Sequence, residues 1–170
     1  MPELVSFDIA YEQLQSRWED CTREGVVSTD GGGVTKYGLS QSAYPTLDIK
    51  GLTAERAKQI TEKDYWSYLR WDVPSIDSEY QTLANKLFQF GFNVGVGTVI
   101  QIANMNLFIM GQLKTLPKIG APLEVSKLAE VIAMSLTEML AAAQLSRYIK
   151  DYNMLSRVPH SLLDRALCIE

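Results

Sequence analysis

From Leu87 to Leu113 the chain carries no charged side chain. So long an apolar run has to be removed from water, either in a membrane or inside protein. Gln89, Asn93, Gln101, Asn104 and Asn106 recur through it, and Gly91, Gly95 and Gly97 interrupt it. Amides are costly in hydrocarbon, and glycines weaken a continuous helix. The expectation is two buried helices broken at the glycines, with no membrane span.

Other segments supply neighbours for those helices. Phe7, Tyr11, Leu14, Trp18 and Cys21 recur at helical spacing and predict a helix from about Asp8 to Arg23, with Ser6 as N-cap and Gly25 as stop. Leu52-Thr53 reads as a hydrophobic staple and N-cap. The helix that follows runs to about Leu69, with Ala57, Ile60, Asp64, Tyr65 and Tyr68 near one face, and Pro74 ends any continuation. A third helix starts near Ile76 to Ser78 and breaks in the glycines. A fourth covers about Thr98 to Leu113, and Pro117 to Pro122 is a turn. A long helix spans about Leu123 to Leu155, and a short one closes the chain. The predicted fold is mainly α, a helical bundle with one small β-hairpin. At 170 residues it is a single domain. It divides into a first lobe, 1–75, and a helical second lobe, 76–170.

That hairpin falls within Arg23 to Ser40, where Gly25, Gly31, Gly32, Gly33 and Gly38 crowd a short stretch. Glycine is used where the backbone needs unusual dihedrals or a close approach, so this is a shaped loop. Val34 to Leu39 has the β-branched and aromatic character of a strand. Glu24 sits at the expected end of the first helix, where the dipole disfavours a carboxylate, a placement that suits a general acid. Asp30 enters the triple glycine.

Several chemistries are disfavoured. A net charge of -4 argues against a nucleic-acid partner. His160 is the only histidine and no CxxC is present, so neither a metal nor a cofactor is expected. Cys21 and Cys168 read as free thiols. The glycines lack the Gly-Lys-Ser/Thr of a phosphate loop. Paired carboxylates remain, which is what glycoside hydrolysis requires. Tyr37, Tyr44, Trp66, Trp71 and Asn93 offer ring faces and an amide for a sugar polymer.

The pattern Glu24-Gly25, then Asp30-x-Gly32-Gly33-x-Thr35-x-Tyr37-Gly38-Leu39-Ser40, resembles the signature of glycoside hydrolase family 108, phage and bacterial peptidoglycan hydrolases. Leu52-Thr53-Ala54-Glu55-Arg56-Ala57, Lys63-Asp64-Tyr65-Trp66 and Phe88-x-Phe90-x-x-Asn93-x-Gly95 are similar to later family segments. Arg147-Tyr148 and Arg165 also fit. The resemblance implies a lysozyme-like fold whose second part is a peptidoglycan domain. It implies a muramidase with Glu24 as general acid and with Asp30 and Thr35 orienting the attacking water. Tyr37, Tyr44, Trp66 and Asn93 would bind substrate. The implied partner is bacterial peptidoglycan, with a holin or a virion as the associate of a phage-encoded copy. The N-terminus does not read as a secretory signal, so the protein would be made in the host cytoplasm and act at the wall or periplasm after release, export or delivery in a virion. Two departures stand out: Val26 replaces the family's second glycine, and the loop from Glu24 to Thr35 is shorter. They motivate an alternative, a catalytically silent wall-binding or virion structural module on the same fold.

Overall fold

A computed structural model describes residues 5–16, 25–30 (Asp30 by its backbone alone), 33–69, 80–123, 127, 142 and 144. Among them are four α-helices: α1 (Phe7–Leu14), α2 (Ala54–Asp64), α3 (Gln81–Val94) and α4 (Val96–Ile109). Three strands, β1 (Ser28–Asp30), β2 (Gly33–Lys36) and β3 (Leu39–Ser40), form an antiparallel sheet in sequential order. The architecture is mainly α with a small sheet, as expected, though the β element has three strands where a hairpin was anticipated.

The helix starts follow local chemistry. Ser6 caps α1, its Oγ accepting from the Ile9 amide at 3.4 Å. Thr53 caps α2, accepting from the Arg56 amide at 3.2 Å. Leu52 and Ala57 are buried in one cluster, which is the staple geometry. The uncharged run forms α3 and α4, and the bend between them is at Gly95, whose φ of +93° glycine adopts without strain. Gly91 does not break α3. It lies inside that helix, where a β-carbon would come within 3.1 Å of the Val99 side chain. It therefore lets α3 and α4 approach closely. No described helix is long and apolar enough to cross a membrane.

Two buried clusters result. The larger joins Phe7, Ala10 and Leu14 of α1 to Leu83, Leu87, Phe88 and Phe90 of α3 and to Val99, Ala103 and Leu107 of α4. The smaller holds Leu39, Ile49, Leu52, Ala57 and Ile60, between the sheet and α2. Tyr65 and Phe92 border both, their ring centroids 4.8 Å apart. The second half of the first predicted helix, both cysteines, His160, Trp71, Arg147, Tyr148, Arg165 and nearly all of the long predicted helix lie outside the described residues.

Candidate active site

The sheet is built from two hairpins. In the first, Asp30 pairs with Gly33. Lys36 pairs with Leu39, leaving Tyr37 and Gly38 as a two-residue turn. Both turn residues have positive φ, 52° and 76°, the signature of a type I′ turn. Asn or Gly usually fills the first of these positions. Tyrosine there is strained, and strain of this kind is retained where the surroundings over-determine it.

Those surroundings can be named. Gln15, just past α1 and buried, donates from Nε2 to the Tyr37 carbonyl at 3.2 Å. Gly25 packs directly beneath the Tyr37 ring: a β-carbon at Gly25 would overlap the ring and its hydroxyl, and its φ of +64° favours glycine independently. The Lys36 ammonium stands 5.5 Å from the Tyr37 ring centroid and donates to the Lys50 carbonyl at 3.1 Å. Residue 25 and the Tyr37 turn, distant in sequence, thus form one packed unit.

Beyond β3 the chain is held by Gln41. Its Nε2 donates to three carbonyls, those of Tyr44 (2.9 Å), Pro45 (3.1 Å) and Leu47 (3.1 Å). This fixes Tyr44, whose hydroxyl donates to Asp64 Oδ2 at 3.1 Å at the end of α2. Burial, then the neighbouring Tyr65 and Asp64, push the Tyr44 phenol well above its ordinary range, so it stays protonated as a donor. Among the described residues, no group of three or more His, Cys, Asp or Glu side chains is arranged to hold a metal ion.

Residues 21–95 match the family model described as Glycosyl hydrolase 108. Over this stretch, somewhat under half of its length, the chain is similar to glycoside hydrolase family 108. No curated protein and no solved structure gives a significant match. The family 108 segment closes at Gly95, the bend between α3 and α4, and it contains the whole sheet, α2 and α3. The match supports a glycoside hydrolase of the peptidoglycan-hydrolase type.

Within the family 108 segment the expected site residues fall in different settings. Glu24 lies outside the described residues, next to Gly25. Asp30 ends β1, and Thr35 sits in β2 opposite Ser28 on one side and Ser40 on the other. Tyr37 and Tyr44 both pack on the smaller cluster. Trp66, partly buried, packs against the larger one, its ring 5.6 Å from Phe7 and 5.5 Å from Phe88, edge-on to the latter. Asn93 is exposed near the end of α3. Sequence reasoning missed the structural roles of Gln15 and Gln41. No sequence signal marks a glutamine as a turn-holding donor. Asp64 did carry one, as an acid on the otherwise apolar face of α2.

Proposed function

We propose that the chain is a muramidase, hydrolysing the β-1,4 bond between N-acetylmuramic acid and N-acetylglucosamine. The observation that carries this reading is the family 108 match, which contains Glu24, Asp30 and Thr35. Glu24 is the general acid that protonates the leaving oxygen. Asp30 and Thr35 orient a water on the opposite face of the sugar, in an inverting reaction. Two geometric facts support the assignment. Gly25, the neighbour of Glu24, packs against the Tyr37 turn. Ser28 pairs with Thr35 and Asp30 ends the same strand, so the backbones of Asp30 and Thr35 belong to one hairpin. Tyr37 and Tyr44 would line the glycan path, together with Asn93 and Trp66. In this reading 1–75 carries the reacting groups and 76–170 the helical support. The protein reaches the wall after release from the cytoplasm, through a holin or in a virion if phage-encoded.

The test is digestion of purified peptidoglycan by the wild type and by Glu24→Gln, with mass spectrometry of the soluble fragments. Reducing muramic-acid ends from the wild type are expected. The variant should lose at least about a hundredfold in rate, the usual contribution of a general acid. The departures at Val26 and in the loop favour one competing reading, a silent wall-binding or virion structural module. It predicts sedimentation with the wall and no new reducing ends. Anhydro products instead would identify a lytic transglycosylase.

A further inference from the structure

A cavity of about 600 Å³ opens beside the end of α2. Val96, Ile100 and Pro122 give it aliphatic walls, Tyr68 stands at its side 62% exposed, and Gly97 leaves part of it empty. Among the described residues lining it, Asp64 is the charged one. Tyr44 holds one oxygen of that carboxylate, and the other has no hydrogen-bond partner among the described residues. The N-terminus of α4 also meets the cavity, and no side chain caps its first amides. Apolar walls ending in a fixed carboxylate, with an aromatic face alongside, match an alkyl chain that ends in an ammonium group. Uncapped amides match a carbonyl on the same ligand.

We propose that this cavity binds the side-chain amine of the diamino acid in the peptide stem of peptidoglycan. The ammonium pairs with Asp64, its methylenes lie against Val96 and Ile100, and a stem carbonyl accepts from the first turn of α4. The inference rests on the peptidoglycan reading and adds a recognition of the stem to a chemistry directed at the glycan.

The experiment is calorimetric titration of the full chain with L-alanyl-γ-D-glutamyl-L-lysine, with its Nε-acetylated form, and with the corresponding diaminopimelate peptide. Binding of either free-amine stem is expected. Acetylation, which removes the charge, should weaken it at least about tenfold, and Asp64→Asn should do the same. Gly97→Leu fills the cavity and should abolish binding. It should fold, because no atom lies within 4 Å of a β-carbon at that position and leucine favours helix over glycine. Equal affinity for the free and acetylated peptides, unaltered binding by Gly97→Leu, or no binding of either free-amine stem would overturn the proposal. A protein that cuts glycan but ignores these peptides overturns this inference alone. One that binds them and releases no reducing ends overturns the muramidase reading alone.

Discussion

Around Phe88 the molecule is held by rings, and around Tyr44 by polar contacts. Phe7 and Trp66 both pack against Phe88, with centroids 5.8 Å and 5.5 Å away, and aliphatic side chains of α1, α3 and α4 fill the remainder. The sheet side has a smaller cluster of five buried residues. Its shape comes from a strained turn, a glutamine serving three carbonyls and a tyrosine on a carboxylate. Dispersion and apolar burial are non-directional and add up to stability. Hydrogen bonds add little net stability each, but they fix geometry. The helical side therefore supplies stability, and the sheet side supplies the geometry of the family 108 motif.

The largest effect is expected at Phe88. Phe88→Ala leaves a cavity in the larger cluster and should cost about 3–5 kcal/mol in urea denaturation. Hydrolysis per folded molecule should change little. If activity falls further than stability does, the two sides are not separable. Gly25→Ala tests the other side. It sets a methyl group against the Tyr37 ring and forces a positive φ on alanine, with an expected loss of about 1–3 kcal/mol. Here activity should drop more than stability, because the residue adjoins Glu24.

A smaller effect separates the sides by pH. The Tyr44 phenol is raised above its ordinary value of about 10 in the folded protein, so its stabilising contribution is complete below that value and is lost as the pH climbs beyond it. Stability measured from pH 8 to 11 should fall at the alkaline end, and Tyr44→Phe should reduce the fall. Lys58, raised chiefly by its hydrogen bond to Asp8, loses stability in the same alkaline direction. The difference between wild type and Tyr44→Phe isolates the phenol from it. The smallest expected change has the opposite sign. Asparagine tolerates positive φ, so Tyr37→Asn should relieve strain and raise stability by up to about 1 kcal/mol. If Tyr37 binds glycan, that same variant should lose activity, a trade characteristic of strained functional positions. A Tyr37→Asn protein that is both less stable and fully active would remove the functional explanation of the turn.

Features that depend on neighbours a few residues apart were legible in the chain before folding. The caps at Ser6 and Thr53, the staple at Leu52, the bend in the glycines of the uncharged run and the strand after Gly33 are all decided within one turn of helix or one hairpin. The family motif was legible for the same reason, since its residues are consecutive. Tertiary structure decided what depends on distant contacts. Gly91 reads as a helix breaker, yet it stays inside α3 because Val99 of α4 needs the room. Trp66 reads as a ring face for a sugar polymer, yet it is partly buried with Phe7 and Phe88 packed against it. The left-handed Tyr37, its support by Gln15 and Gly25, and the pairing of Tyr44 with Asp64 join residues that no local pattern links. Local propensity reports the cost of each backbone shape. Only the folded chain shows which long-range contacts meet that cost.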